Sequence, residues 1–130
     1  MKFTIPLPPV TKKNHSQIFR NKSTGRPYIV PSKQYKEYEE QAGYYIPYKW
    51  QMIDKPVNVQ AVFYMQTKRK VDLTNLLSAI CDVLVHYGVL VDDNSNIIVS
   101  HDGSRVLYDK DRPRTEIEIM EVILEKKQGE

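Results

Sequence analysis

In the stretch VNVQAVFYM, residues 57–65, every second residue is apolar, and the residues between them are a mixed set that includes two amides and a tyrosine. Successive side chains of a strand point to opposite faces of a sheet, so this alternation predicts a strand with one well-buried face. Residues 115–119 alternate in the same way near the end of the chain. Two such strands predict a sheet that is covered by helices on one face. The predicted buried set of the first strand is Val57, Val59, Ala61, Phe63 and Met65.

The hydrophobic period changes directly after this strand. From Asp72 onward apolar residues recur at helical spacing, and Gly88 is well placed to end the helix. A second, more polar helix is predicted after Ser32, which is a suitable N-cap residue. Short strands are predicted near the amino terminus and on both sides of an Asp102–Gly103 turn. The predicted fold class is therefore α+β, with a mixed sheet of about five strands and two main helices on one face.

The chain of 130 residues is long enough for one domain but short for two. We expect one domain over residues 1–125 and a frayed tail over residues 126–130. The single cysteine, Cys81, excludes an internal disulfide and a cysteine-rich zinc site. No apolar stretch approaches the roughly 20 residues that span a bilayer, so we expect a cytoplasmic protein without membrane contact.

Basic residues are clustered rather than evenly spread. The formal net charge is +3, which permits binding to a polyanion. Lys12 and Lys13 lie in a proline-rich loop, and Lys68, Arg69 and Lys70 lie at the end of the first predicted strand. A solvated loop is the ordinary interpretation of such clusters. The second cluster carries more weight because it directly precedes the first candidate acid.

Three aspartates are candidate metal ligands: Asp72 at the predicted helix start, and Asp92 with Asp93 after it. Magnesium takes oxygen ligands, and one or two carboxylates together with substrate phosphates suffice. The helix is about 24 Å long and the returning segment covers about 16 Å, which leaves roughly 8 Å for two carboxylates and an ion. The ordinary alternatives are a helix cap at Asp72 and a turn at Asp92 and Asp93. The residues alone leave both interpretations open.

Asp82 and the histidines are interpreted differently from these three acids. Asp82 lies roughly 15 Å along the helix from Asp72, so one ion cannot readily contact both. We therefore interpret Asp82 as an orienting or structural partner of the returning segment. His15, His86 and His101 show no metal-ligand spacing with one another, so no catalytic role is predicted for them.

Residues 71–97, VDLTNLLSAICDVLVHYGVLVDDNSNI, resemble the RusA family of Holliday-junction endonucleases. The family pattern runs Asp-Leu-Asp-Asn-Leu, continues through a helix that contains a further Asp, and reaches a Gly and then Asp-Asp. Weaker similarity covers FTIPLPP at residues 3–9, GRPYIV at residues 25–30 and KRK at residues 68–70. The resemblance therefore extends over nearly the whole chain.

This resemblance implies a small α+β homodimer that binds four-way DNA junctions and nicks two strands symmetrically. The implied cofactor is Mg²⁺, with Mn²⁺ as the alternative ion. The resemblance also implies a bacterial or phage protein that acts in DNA recombination and repair. Asp72 and Asp93 fall on catalytic, metal-binding acids of the family, with Asp92 adjacent and Asn75 inside the same motif.

Two positions depart from the family pattern. Thr74 stands where the pattern has its second acid, and Ser78 stands where it has a catalytic lysine. A threonine offers a cation only a neutral oxygen, and a serine cannot stabilise phosphate charge as a cation does. Asp92 and the basic cluster at residues 68–70 are candidates to supply the missing charges.

The hypothesis that follows is a metal-dependent junction endonuclease. Its catalytic and metal-binding residues are Asp72, Asp92 and Asp93, and its supporting residues are Thr74, Asn75 and Asp82. Its DNA-binding residues are Lys12, Lys13, Lys68, Arg69 and Lys70. The alternatives are a junction-binding protein that does not cut, and a metal-dependent nuclease that cuts other branched DNA.

Overall fold

The computed structural model describes residues 1–12, 17–30 and 32–123. Within these ranges the strands are β1 (Lys2–Ile5), β2 (Gln17–Arg20), β3 (Pro27–Val30), β4 (Val57–Met65), β5 (Ile98–Ser100), β6 (Arg105–Tyr108) and β7 (Arg114–Glu121). The helices are α1 (Lys33–Ala42) and α2 (Leu73–His86), and a short 3₁₀ turn follows α1. Lys13 and the predicted tail at residues 126–130 lie outside the described residues.

A five-stranded mixed sheet forms the centre of the fold. β7 lies between β1 and β4 and pairs antiparallel with both. β5 and β6 pair in parallel with successive parts of β4, along its other edge. β2 and β3 form a separate antiparallel hairpin. The predicted fold class, a small α+β domain with a mixed sheet of about five strands and two helices, is confirmed.

One hydrophobic core joins the sheet to both helices. The predicted buried face of β4 is confirmed from Val57 to Phe63, while Met65 is only half-buried. Side chains of the opposite register, such as Gln60 and Glu118, are polar and half-buried. In the described ranges no helix is long and apolar enough to cross a membrane. The residues that α2 buries in the core are Leu76, Leu77, Ala79, Ile80, Cys81, Val83 and Leu84.

Gly88 ends α2 as the sequence predicts. Its φ is +65°, a left-handed conformation that glycine adopts without strain. The Val89 N–H donates to the Leu84 carbonyl at 2.9 Å across this turn, which satisfies a carbonyl of the last helical turn. A side chain at Gly88 would also meet the Trp50 ring. Both the backbone conformation and the close packing therefore require glycine at this position.

The chain returns from α2 to the sheet next to the start of β4. Leu90 forms a parallel bridge with Ile53, just before β4 begins. Residues 91–97 are irregular and lead into β5. Parallel strands need such a crossover, here made by α2 and its flanking segments. Asp92 and Asp93 therefore lie on the loop that joins the helix to the returning strand.

Candidate active site

Asp72 occupies the N-cap position of α2. Its backbone carbonyl accepts hydrogen bonds from the Asn75 and Leu76 N–H groups at 3.1 and 3.2 Å. Its side chain makes no capping hydrogen bond to the helix backbone within the described structure. Carboxylate Oδ2 instead accepts a bond from Asn75 Nδ2 at 3.3 Å. The carboxylate is exposed and is therefore accessible to a cation.

Asp92 and Asp93 are adjacent in sequence but differ in their surroundings. Asp92 Oδ1 accepts the Asp93 N–H at 2.7 Å, and Asp92 Oδ2 accepts Asn94 Nδ2 at 3.1 Å. These hydrogen bonds favour the ionised carboxylate and lower the pKa of Asp92. Asp92 therefore stabilises the loop between α2 and β5, as the turn interpretation predicts.

Asp93 lies in a cleft of about 300 Å³ beside α2, which we call the Asp93 cleft. Thr74 and Ser78, the two positions that depart from the family pattern, line the same cleft. Thr74 is two residues beyond Asp72, so the first turn of α2 and the returning loop contribute to one space. The complete lining is Thr74, Leu77, Ser78, Cys81, Asp93, Ile98 and His101.

The carboxylate of Asp93 is destabilised by its surroundings. Partial burial raises the pKa of Asp93, and a hydrogen bond with Asp92 and the charge of Asp82 raise it further. Asp82 Oδ2 pairs with Lys12 Nζ at 2.9 Å. Asp82 thus connects α2 to the amino-terminal loop and acts on the returning segment electrostatically. Nearby negative charge favours a bound cation at Asp93 as well as a bound proton.

The donor atoms around Asp72 and Asp93 are suited to a hard cation. They are carboxylate, amide and hydroxyl oxygens, from the two aspartates, Asn75 and Thr74. Across the described ranges no group of three or more His, Cys, Asp and Glu side chains is arranged to hold a metal ion. Oxygen donors of this kind fit an ion that takes one or two carboxylates and completes its shell with water and substrate phosphate, as Mg²⁺ does.

His101 lies in the Asp93 cleft, although the sequence predicts no role for it. Its Nδ1 lies 2.8 Å from the Val59 carbonyl oxygen on β4. Asn58 Oδ1 accepts hydrogen bonds from Ser100 Oγ at 2.6 Å and from the Asp102 N–H at 2.7 Å, so both neighbours of His101 are held. Histidine spacing gives no signal for this arrangement, because the partner of His101 is a backbone carbonyl of β4 and its neighbours are held by the Asn58 side chain.

The basic cluster at residues 68–70 lies beside the amino-terminal proline loop. Arg69 and Lys70 are exposed and line a second cleft, of about 210 Å³, together with residues 8–11 of that loop. Lys68 Nζ lies 5.1 Å from the centre of the Tyr108 ring, a cation–π distance. The fold therefore brings the proline loop and the second basic cluster together at the start of α2.

The opposite pKa shifts of Asp92 and Asp93 predict opposite effects of neutralising each residue. The pKa of Asp93 is higher in the folded protein than in the unfolded chain, so the ionised carboxylate lowers the stability of the fold above the folded pKa. This loss of stability disappears as the pH falls to the pKa of Asp93 in the unfolded chain. Asp93→Asn is therefore expected to raise the melting temperature at neutral pH and to lose this advantage below about pH 4. Thermal unfolding in EDTA at several pH values measures the effect without a bound cation.

Asp92→Asn is the matched variant. The pKa of Asp92 is lower in the folded protein than in the unfolded chain, so its ionised carboxylate stabilises the fold above the pKa of the unfolded chain. This stabilisation is lost as the pH falls through the pKa of Asp92 in the folded protein. Asp92→Asn is expected to lower the melting temperature at neutral pH. A shift of the same sign in both variants would contradict the surroundings described for the two acids.

A family model described as Endodeoxyribonuclease RusA matches residues 6–120. The match covers most of the chain and includes both clefts and all three candidate acids. A search of curated proteins found no match. The family match includes residues 71–97, where the resemblance to the RusA pattern is strongest. The chain therefore belongs to the RusA family of endodeoxyribonucleases.

Proposed function

We propose that this chain is a Mg²⁺-dependent endodeoxyribonuclease that binds four-way DNA junctions as a homodimer and resolves them by symmetric nicking. Membership of the RusA family over residues 6–120 carries this proposal, because the family implies a junction-resolving endonuclease. The Asp93 cleft supports it, since Asp93 and Thr74 of the first turn of α2 line the same space and Asp72 is the N-cap of that turn. Hard cations bind carboxylates from separate elements in this way. Such an enzyme acts in DNA recombination and repair in a bacterial cell or for a phage.

RusA nucleases generally depend on a divalent metal ion. In this proposal Asp72 and Asp93 hold Mg²⁺, or Mn²⁺ in its place, and Asp92 is the third candidate ligand. Asn75 orients the Asp72 carboxylate through its side-chain amide, and Thr74 offers a neutral oxygen. When bound, the ion would activate water and stabilise charge on the phosphate and the departing oxygen.

The basic residues bind the DNA backbone. Arg69 and Lys70 contact phosphates through the second cleft, with Lys68 beside them and Lys12 on the proline loop. Lys13 is assigned to the same surface from its position in the sequence. Symmetric nicking of a four-armed substrate needs two active sites related by a two-fold axis, so the homodimer is part of the proposed mechanism.

Removing the exposed positive charges of the second cleft is expected to lower the affinity for junctions and to make that affinity less sensitive to salt concentration. Each phosphate contact contributes about 0.9 to the slope of log K against log salt concentration. Arg69→Ala/Lys70→Ala is therefore expected to make that slope shallower by about 2, measured by junction binding in EDTA over a salt series. Lys2→Ala/Lys55→Ala removes the same charge from exposed positions elsewhere. Equal slopes for the two double variants would argue against the second cleft as a DNA contact.

A junction-binding protein without nuclease activity is the second candidate function. The observation that favours it is the presence of Thr74 and Ser78 in the Asp93 cleft, where the family pattern has an acid and a lysine. These changes remove one negative charge from a bound ion and one positive charge from the phosphate. The basic surface would still bind branched DNA.

The purified protein is incubated with labelled four-way junctions, flaps and linear duplex, in Mg²⁺, Mn²⁺ or EDTA. The expected result is a pair of nicks at symmetric positions in the two strands that the two-fold axis relates. These nicks are expected only when a metal ion is present. Sedimentation of the free protein is expected to give the mass of a dimer. Tight junction binding without metal-dependent nicks would favour the non-catalytic candidate. Equal cutting of flaps would favour a nuclease for branched DNA in general.

A further inference from the structure

The Asp93 cleft also contains a histidine, which the proposed function does not use. No lysine or arginine is among the described residues that line it, but His101 is. His101 is half-buried and lies on the short segment between β5 and β6. Phosphodiester hydrolysis is accelerated when a positioned side chain accepts a proton from the attacking water. His101 is therefore a candidate for this role.

The position of the proton on the His101 ring follows from its hydrogen bond. Nδ1 lies 2.8 Å from the Val59 carbonyl oxygen, and a carbonyl oxygen can only accept. Nδ1 therefore carries the proton. In the neutral ring Nε2 is then the nitrogen with a free lone pair. This tautomer can accept a proton through the nitrogen that does not contact β4.

Asn58 holds both neighbours of His101. Its Oδ1 accepts bonds from Ser100 Oγ and the Asp102 N–H, and its Nδ2 donates to the Asp102 carbonyl at 3.2 Å. The ring itself is bound to Val59, the next residue of the same strand. A catalytic side chain must be held close to its productive position by such supporting contacts.

The other polar side chains of the Asp93 cleft are poor proton acceptors in this setting. Thr74 and Ser78 are neutral hydroxyls. Burial raises the pKa of the Cys81 thiol to about 12, so the thiol is protonated at neutral pH. The Asp93 carboxylate binds the cation in the proposed function. His101 is the remaining group.

We propose that His101 Nε2 is the general base that takes a proton from the attacking water, an inference that rests on the proposed nuclease function. The water oxygen forms a bond to phosphorus while the bond from phosphorus to the leaving sugar oxygen breaks, and its electron pair stays on that oxygen. One water proton moves to Nε2, and the leaving oxygen takes a proton from solvent. The products are a phosphate end and a hydroxyl end, and the imidazolium returns its proton to solvent.

His101→Asn tests this role with little change in structure, because the asparagine amide can still donate to the Val59 carbonyl. The single-turnover rate of junction nicking is expected to fall about 100-fold, the lower part of the range for general-base catalysis. Junction affinity and melting temperature are expected to match those of the wild type. His86→Asn, at an exposed position in the last turn of α2, is the matched control and is expected to nick normally.

Two further measurements separate a base from a structural or leaving-group role. Added imidazole is expected to raise the nicking rate of His101→Ala, because a small base can enter the emptied part of the cleft. Once the nick has been mapped, a junction with sulfur in place of the leaving oxygen is used. The His101→Asn defect is expected to persist on this substrate, since sulfur affects only the leaving group. A defect that disappears there would identify His101 as an acid for the leaving group and overturn the proposal.

The outcomes distinguish this inference from the proposed function. A wild-type protein that never nicks junctions with any metal ion overturns both. A wild-type protein that nicks, together with His101→Asn that nicks at the same rate, overturns only the role of His101. A slow His101→Asn whose melting temperature falls, with no imidazole rescue of His101→Ala, would assign His101 to loop structure and also overturn the proposed base.

Discussion

Asp72→Asn is expected to lower the rate of metal-dependent junction nicking by about 1000-fold, because a catalytic cation contributes several kcal/mol and each 1.4 kcal/mol is about tenfold. Asparagine keeps the size of the side chain and is a good N-cap residue, so α2 keeps its first turn. The Asp72 side chain makes no capping bond in the described structure, so the melting temperature is expected to change little. Single-turnover nicking, junction binding in EDTA and thermal unfolding measure the three quantities.

Asp54→Asn is the matched control for this prediction. Asp54 is exposed and precedes β4, whereas Asp72 follows the other end of that strand. Eight residue steps of a strand separate the two ends by about 26 Å. Asp54→Asn is expected to nick junctions normally. Normal nicking by Asp72→Asn would remove Asp72 from the proposed metal site and leave it as a helix-start residue only.

Phe63→Ala is expected to have the largest effect on stability, a loss of about 3–5 kcal/mol in the free energy of unfolding. Phe63 lies in β4 and its side chain is 2% exposed, in the core that joins the sheet to α2. Truncation removes buried apolar surface and leaves a cavity that the neighbouring strands cannot close. Since small domains are stable by only about 5–15 kcal/mol, the variant is expected to be partly unfolded at modest denaturant concentration. Equilibrium denaturation by urea measures this.

Val62→Ala, one position earlier in β4, is the control for Phe63→Ala. Val62 points to the opposite, half-buried face of the sheet. Replacing Val62 by alanine is expected to lower the free energy of unfolding by less than about 1 kcal/mol. This is the full range of strand propensities measured at positions outside a core. Similar losses for the two variants would mean that both faces of β4 are buried, as they would be if another protein chain covered the open face.

Much of the fold was predictable from local patterns. The strand at residues 57–65 has the bounds that its alternation predicts, and α2 begins directly after Asp72 and ends before Gly88. Ser32 caps α1 by accepting the Tyr35 N–H at 3.1 Å. These features depend on residues within a few positions of one another. Hydrophobic period, capping chemistry and the left-handed preference of glycine are therefore sufficient to find them.

The pairing of the short strands was less predictable. The sequence predicts strands on both sides of the Asp102–Gly103 turn, and β5 and β6 lie there. Both strands pair in parallel with β4 along one edge, with a break between them at residues 101–104. A short strand carries little pattern that specifies its partner, since partner choice depends on which edge the crossover leaves open.

Part of the candidate site was predictable from the sequence, and part of it depends on the fold. The acids at Asp72, Asp92 and Asp93 stand out in the sequence, and their metal-binding role stays a prediction. The different surroundings of Asp92 and Asp93 come from the fold, because Asp92 bonds within its loop while Asp93 lines a cleft with α2. His101 is held in that cleft by its contact with Val59, and its neighbours Ser100 and Asp102 are held by Asn58, more than 40 positions away in sequence.

The amino-acid sequence was therefore enough for the family and for the principal helix and strand, since these depend on motifs and local patterns along the chain, while the metal-binding role of the three acids stays a prediction. Only the tertiary structure decided that Asp82 pairs with Lys12, that Asp93 rather than Asp92 lines the cleft, and that His101 lies beside it. The physical reason is that these contacts form when the α2 crossover brings distant segments together, and side-chain periodicity carries no information about which distant groups will meet.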